Sequence, residues 1–191
     1  AMHINEARGV FQAISEALDK VHAAGLAHAD LRTDHVMLVR RDGALSAVLV
    51  DFAIDRLASH RGGHTDMPSL LVVSGSARAL APERIRKGSV ADARSDVYGL
   101  GALAYEVLTG KALFGTANAA ELIVAHLTQE PEAPSKLAPR GWVSKDLDAV
   151  VLMALAKAPE DRPSSAGQFF QLMVDAVKGR TAAITRDEFD A

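Results

Sequence analysis

The start of the chain alternates apolar and polar residues with the period of an α-helix. Apolar positions recur at steps of three and four from Ile4 to Val21, a pattern that predicts one buried stripe along a helix. Gly25 follows and suits the end of that helix, because glycine adopts the left-handed conformation common just after a last helical turn.

Two short runs of β-prone apolar residues come next, at positions 36–39 and 47–51. An Arg-Asp-Gly segment at positions 41–43 separates them, which predicts a β-hairpin. Positions 52–76 then show no sustained period. A loop of that length inside a domain is usually functional or disordered.

From position 82 onward the pattern is helical. Ser95–Thr109 is apolar on most faces, which predicts a central, buried helix, and Gly110 is a suitable stop. Thr116 and Ser144 can each cap a further helix, because their hydroxyl groups accept hydrogen bonds from free N–H groups at a helix start. A last helix is predicted between position 163 and Gly179.

Composition narrows the class of protein. The chain has 191 residues, 49% hydrophobic and 24% charged, with a formal net charge of -3 and no cysteine. This composition excludes disorder of the whole chain and makes nucleic acid an unexpected partner. The apolar run Val97–Leu108 is shorter than the roughly 20 residues of a membrane span. We therefore expect a cytoplasmic protein, and the lack of cysteine is compatible with that compartment.

Four short motifs stand in order along the sequence. They are His-Ala-Asp-Leu-Arg-Thr-Asp-His at positions 28–35, Asp-Phe-Ala at 51–53, Ala-Pro-Glu at 81–83 and Ser-Asp-Val-Tyr-Gly at 95–99. In this order they resemble the catalytic loop, metal-binding Asp, activation-segment end and central helix of protein kinases, specifically the bacterial eukaryotic-like Ser/Thr kinases. The resemblance covers Ile4 to about Gly179.

The resemblance implies a mainly α (α+β) fold, the helical C-terminal lobe of a kinase with one small β-hairpin. Positions 1–179 would form that lobe, 51–83 its activation segment, and 180–191 a polar tail. No glycine-rich loop or strand lysine precedes the first helix in this sequence, so we expect the N-terminal lobe to be absent and this chain alone not to catalyse.

The resemblance also assigns catalytic roles, residue by residue. Asp30 would orient or deprotonate the substrate hydroxyl, and Asp51 would hold Mg²⁺ or Mn²⁺ on the phosphates of ATP. Arg32 stands in place of a Lys that contacts the γ-phosphate, and Ser76 in place of a Thr that contacts the catalytic loop. Met37 would form the apolar floor beneath the adenine ring.

Other matching positions have structural roles in the family. His28 and Phe52 would pack inside the lobe, and Asp96 would bind the backbone of the catalytic loop. Glu83 and Arg162 would form a buried ion pair that holds the end of the activation segment.

Three residues depart from the family pattern. His35 replaces an Asn that binds the second metal, and imidazole is a poor ligand for Mg²⁺. Ala29 replaces the Arg that holds a phosphorylated activation loop. Ala53 replaces a glycine. These departures favour a second hypothesis, a pseudokinase or kinase-derived module that binds a regulatory protein.

Two further interpretations remain open. His60, His64 and Asp66 have metal-like spacing but lie in the long predicted loop, where solvated histidines are the default. Small-molecule phosphotransferases share the catalytic-loop pattern, but the Ala-Pro-Glu motif argues against them.

A kinase lobe alone would expose Met37 and Phe52, so we expect self-association or a covering partner.

Overall fold

The computed structural model describes residues 1–41, 43–52, 76–87, 91–115 and 118–179. Ala53, the candidate metal site at positions 60–66 and the predicted polar tail lie outside the described residues. In chain order the elements are α1 (Ile4–Ala23), β1 (Val36–Arg41), β2 (Ala44–Leu49), α2 (Pro82–Lys87), α3 (Ala93–Thr109), α4 (Ala119–Thr128), α5 (Lys145–Ala154) and α6 (Ala166–Val177). The predicted mainly helical fold with one small antiparallel hairpin is confirmed.

Helix α1 forms where the periodic stripe predicts it. Its buried side chains include Phe11, Ile14 and Leu18, and they face β2 on one side and α6 on the other. Gly25 follows with φ of 70°, the left-handed conformation expected after a helix. Helix α1 thus joins the hairpin to the helical part of the core.

Two helix starts differ from the predictions. Helix α3 begins at Ala93 because Asp92 and Ser95 form a capping box, in which each side chain bonds the other residue's backbone N–H. Ser95 therefore lies in the first turn instead of starting the helix. Helix α4 is capped by the Asn118 side chain, while Thr116 lies outside the described residues. The predicted Ser144 cap of α5 is confirmed, at 3.1 Å to Leu147 N.

The hairpin strands extend further toward their turn than the apolar runs predict. The register pairs Val36 with Leu49 at one end and Arg41 with Ala44 at the other, because backbone pairing does not depend on apolar side chains. Asp51, predicted to end the second strand, lies beyond it with φ of 61°. This left-handed residue ends the extended backbone.

The core centres on α3, as its apolar faces predict. Helix α3 contacts α1, α5 and α6, and its side chains Tyr98, Leu100 and Leu108 are fully buried. Gly99 and Gly101 allow close packing inside this helix and form no phosphate-binding loop. A Cβ at Gly101 would lie 2.9 Å from the Cβ of Ala154.

Among the described residues, no helix combines the length and apolar character needed to cross a membrane.

Candidate active site

The loop at positions 28–35 is anchored to the central helix through one carboxylate. Asp96 Oδ2 accepts a hydrogen bond from His28 N at 2.7 Å, and Asp96 Oδ1 accepts one from Ala29 N at 2.9 Å. Asp96 is buried at the first turn of α3, where a negative charge also interacts favourably with the helix dipole. The loop therefore has a fixed position relative to the core just before Asp30.

Sequence analysis did not identify His22, which binds the same carboxylate. His22 Nε2 lies 2.8 Å from Asp96 Oδ2. The only sequence signal is a histidine in the last turn of α1, and helical periodicity cannot tell which distant residue it reaches. The end of α1 and the loop at positions 28–35 thus meet at Asp96.

His28 is a packing residue in this structure. Its side chain is fully buried, Nε2 lies 3.1 Å from the Val50 carbonyl oxygen, and Nδ1 accepts a hydrogen bond from Asp30 N. The Phe52 ring lies 4.6 Å from the His28 ring, centroid to centroid. Burial lowers the pKa of His28, although nearby Asp96 opposes this shift. The buried His28 ring therefore supports the segment before Asp51, and the Phe52 ring, predicted to lie inside the lobe, covers it from the outer side and is 37% exposed.

The structure brings four predicted site residues into one cluster. Arg32 Nε lies 3.5 Å from Asp30 Oδ2, and His35 Nδ1 lies 3.6 Å from the same oxygen. His35 Nε2 lies 3.8 Å from Asp51 Oδ2. The sequence motifs at 28–35 and 51–53 therefore form one site at the loop between α1 and the hairpin.

The His35 ring is held through both of its nitrogens. Nδ1 lies 2.7 Å from the Asp30 backbone carbonyl oxygen, which can only accept a hydrogen bond. Arg32 Nε donates to His35 Nε2 at 3.2 Å, and Arg32 Nη2 lies 3.1 Å from the same nitrogen. Because arginine only donates, these contacts assign the proton to Nδ1 and the lone pair to Nε2.

Only part of the cluster fits a divalent metal. The Asp51 side chain is 57% exposed and offers carboxylate oxygens, which Mg²⁺ and Mn²⁺ prefer. The Nε2 lone pair of His35 already accepts hydrogen bonds from Arg32. Within the described residues, no group of three or more His, Asp or Glu side chains forms a metal site. Asp51 can therefore hold a metal, whereas His35 does not fit that role.

Glu83 and Arg162 form a bidentate ion pair below the site. Arg162 Nη1 and Nη2 donate to Glu83 Oε1 and Oε2, each at 2.7 Å. Arg162 is fully buried, and its guanidinium carbon lies 4.9 Å from the centre of the Tyr98 ring. Burial raises the pKa of Tyr98, against the opposing effect of Arg162. The pair joins α2 to the turn before α6.

Arg84 is a second residue that sequence analysis missed. It is buried on α2, and its Nη1 donates a hydrogen bond to the backbone carbonyl of Ala29. Ala29 has φ of 72°, a left-handed conformation that costs energy for a residue with a Cβ. A guanidinium from α2 therefore lies beside the loop position where family members carry their own arginine.

Met37 lies on the hairpin and Phe52 lies shortly after it, whereas Ser76 lies on a separate turn. Met37 is 56% exposed and is paired across the hairpin with Val48, which is also exposed. Phe52 is partly exposed while it contacts His28. Ser76 begins a short 3₁₀ turn that contacts α3, but its side chain lies outside the described residues.

The mainly helical fold with one small hairpin, together with the clustered motifs, agrees with the protein kinase class that the sequence resembles. The family model for the protein kinase domain matches residues 1–174. The chain belongs to the protein kinase family.

Several curated relatives of this chain are bacterial Ser/Thr kinases. The chain is 39% identical to the serine/threonine-protein kinase Pkn1 of Myxococcus xanthus over 161 residues, which cover 84% of this chain and 22% of the relative. It is 40% identical to PknB of Mycobacterium tuberculosis over 154 residues, 80% of this chain and 23% of the relative. It is 32% identical to Pkn3 of M. xanthus over 169 residues, 87% of this chain and 31% of the relative. The predicted resemblance is confirmed, and the chain spans less than a third of these relatives.

Proposed function

We propose that this chain is the C-terminal lobe of a Ser/Thr protein kinase, and that its natural polypeptide transfers phosphoryl groups from ATP to protein hydroxyl groups. The observation that carries the proposal is the cluster of Asp30, Arg32 and Asp51. Asp96 fixes the loop just before Asp30, so the geometry of the cluster is set by the core. Positioning and charge neutralisation account for nearly all catalysis of phosphoryl transfer.

Each residue of the cluster then has a distinct role. Asp30 accepts the proton of the attacking substrate hydroxyl. The hydroxyl oxygen then forms a bond to the γ-phosphorus of ATP, and the bond between that phosphorus and the ADP oxygen breaks. Arg32 lies beside Asp30 and offers N–H groups to the γ-phosphate. The apolar side chain of Met37 supports the adenine ring. Asp51 would hold Mg²⁺ or Mn²⁺, which would supply positive charge to the phosphates.

The test is a phosphorylation assay on the protein in its natural length, with Mg²⁺ or Mn²⁺ and a generic basic protein substrate. Asp30→Asn should lower the rate by a factor of about 10² or more, because general-base catalysis contributes on that scale. Glu6→Gln is the control, since Glu6 is exposed in the first turn of α1, at the end of that helix away from the cluster. No transfer by the unmodified protein to itself or to the substrate would overturn the proposal.

A pseudokinase or binding module is the second candidate. The contact between Arg32 and His35 Nε2 favours it, because it removes a lone pair that a metal would need. Ala29 also favours this candidate, because it replaces the arginine that holds a phosphorylated activation loop. Such a protein would bind a regulatory partner through the lobe without turnover. Phosphoryl transfer that is abolished by Asp30→Asn excludes this candidate.

The exposed hairpin face supports a further proposal, that another protein surface covers it. Met37 and Val48 are exposed apolar residues paired across the two strands, on one face of the hairpin, and monomers seldom leave such patches bare. We expect this chain to self-associate through them. Light scattering should show a mass that rises with concentration, and Met37→Glu should reduce it. Val124→Glu, at an equally exposed site on α4, is the control. A monomer mass at all concentrations would contradict the proposal.

We place the lobe in the cytoplasm, where ATP is available. Fractionation of the native cells tests this location.

A further inference from the structure

We infer that the Arg32 guanidinium takes the place of the second divalent cation, so that this site binds its nucleotide with one metal ion at Asp51. The inference rests on the proposed function, because it concerns how the same site neutralises phosphate charge. Protein kinases use two metal ions, one held by an Asp after the hairpin and one by an Asn of the catalytic loop. His35 occupies that second position.

The hydrogen bonds of His35 argue against a metal there. A neutral imidazole has one N–H and one lone pair. Nδ1 faces the Asp30 carbonyl oxygen at 2.7 Å and must carry the hydrogen. The lone pair on Nε2 faces two nitrogens of Arg32, at 3.2 Å and 3.1 Å. A metal ligated by Nε2 would have to displace Arg32 and would lie close to its positive charge.

The surroundings keep the ring in this orientation. The His35 side chain is buried, and its backbone carbonyl accepts a hydrogen bond from Val50 N at 3.0 Å. The His28 ring stacks beside it, with centroids 6.1 Å apart. Rotation of the His35 ring toward solvent would break its hydrogen bond to the backbone carbonyl of Asp30, which is the proposed base. His35 therefore orients Arg32 and is a positioning residue.

One edge of the Arg32 guanidinium remains available to bind a phosphate. The edge formed by Nε and Nη2 contacts His35. Within the described residues, Nη1 at the far end has only the exposed Asp34 carboxylate nearby, at 3.5 Å. A guanidinium can bind two phosphate oxygens through parallel N–H groups. The end of Arg32 thus supplies a fixed positive charge where the family uses a mobile ion.

The first experiment counts metal ions. Mn²⁺ binding to the protein in its natural length is titrated by electron paramagnetic resonance with a non-hydrolysable ATP analogue. We expect one Mn²⁺ for each bound nucleotide. His35→Asn should add a second, weaker site, because the amide oxygen is a hard ligand and Arg32 is released. His3→Asn is the control, since His3 caps the opposite end of α1. Two Mn²⁺ ions on the unmodified protein would overturn the inference.

A second measurement uses this chain without nucleotide. Nitrogen NMR of the histidine rings should show His35 with its proton on Nδ1, and Zn²⁺ should leave the Nε2 signal unchanged. Zn²⁺ is a stringent probe because it binds imidazole far better than Mg²⁺ does. A selective shift of His35 Nε2 on addition of Zn²⁺ would overturn the inference. If the natural-length protein binds no nucleotide, the proposed function fails, and this NMR result still decides the role of His35.

Discussion

The helical body and the candidate active-site face of this chain satisfy their polar groups differently. The body is α3, α5 and α6 with the Glu83–Arg162 pair, and the face is residues 28–37 and 50–52. In the body, all five N–H groups of Arg162 are used, by Glu83 and by three backbone carbonyls. On the face, Asp51 is half-exposed and left-handed, and Met37 is open to solvent.

This difference separates stability from chemistry. Full satisfaction of a buried charge fixes one geometry, and breaking it is costly. Strained residues and exposed carboxylates cost stability, but they leave groups available to a ligand. The body therefore supplies the rigid support, and the face holds the groups that can react.

The largest expected effect comes from Arg162→Met, which tests whether the body depends on its ion pair. The substitution leaves Glu83 without its bidentate partner in a mostly buried position, so we expect the free energy of unfolding to fall by about 3 kcal/mol. Urea denaturation measures this value. Arg140→Met, at an exposed site, is the control.

A double variant sharpens the same test. Glu83→Leu combined with Arg162→Met removes both charges and should be more stable than Arg162→Met alone. Equal or greater loss in the double variant would show that the ion pair is not the source of the effect.

Arg84→Met tests the link between the body and the face. The loss of the hydrogen bond from the guanidinium to the Ala29 carbonyl should cost about 2 kcal/mol, because hydrogen bonds from charged groups are worth roughly 1.5–3 kcal/mol. Amide NMR signals of Ala29 and Asp30 should also shift. Arg86→Met, on the exposed side of the same helix, should leave those signals in place. If the Ala29 and Asp30 signals stay unchanged in Arg84→Met, the Arg84 hydrogen bond does not link the body to the face.

Gly101→Ala probes the packing of the body. The added Cβ would lie 2.9 Å from Ala154 Cβ and 3.3 Å from Leu155 Cγ. Overpacking costs roughly 1–3 kcal/mol, while the change from glycine favours a helix by about 1 kcal/mol. We expect a net loss of about 1 kcal/mol by urea denaturation. Gly115→Ala meets no atom within 4 Å and should be neutral. A stabilised Gly101→Ala would refute close packing at this point.

The smallest effect is a pH dependence from His28. Burial lowers the pKa of folded His28 below its ordinary value of 6.5, so the unfolded chain binds more protons between the two values. The contribution of neutral His28 to the free energy of unfolding is therefore complete above pH 6.5. It is lost as the pH falls toward the pKa of His28 in the folded chain. Unfolding free energies at pH 7.5, 6.5 and 5.5 should decline less for His28→Phe than for the unmodified chain. His3→Gln should keep the full decline, and parallel curves for all three would contradict the prediction.

Helix positions were predictable because they depend on local pattern. The apolar stripe of α1, the apolar faces of α3 and the cap at Ser144 are properties of neighbouring residues. Element boundaries were less predictable. Asn118 caps α4 and the hairpin continues to Arg41 and Ala44, since capping and backbone pairing do not follow hydrophobicity alone.

The candidate site was predictable in its membership but not in its contacts. The resemblance to protein kinases, carried by the order of the motifs, was enough to group Asp30, His35 and Asp51 in one site. Nothing in the sequence indicated that Arg84 would reach Ala29 across 55 positions. His22 was missed for the same reason, since its partner Asp96 lies 74 positions away.

The sequence by itself determined the order of the motifs, the helical class and the family, because these depend on residue types and their spacing. The tertiary structure alone decided which nitrogen of His35 faces Arg32, which carbonyl Arg84 binds and which apolar residues of the hairpin stay exposed. Those choices depend on the packing of α1, α2 and α3 around the loop. Packing fixes the directions of side-chain donors and acceptors, and residue spacing along the chain does not encode them.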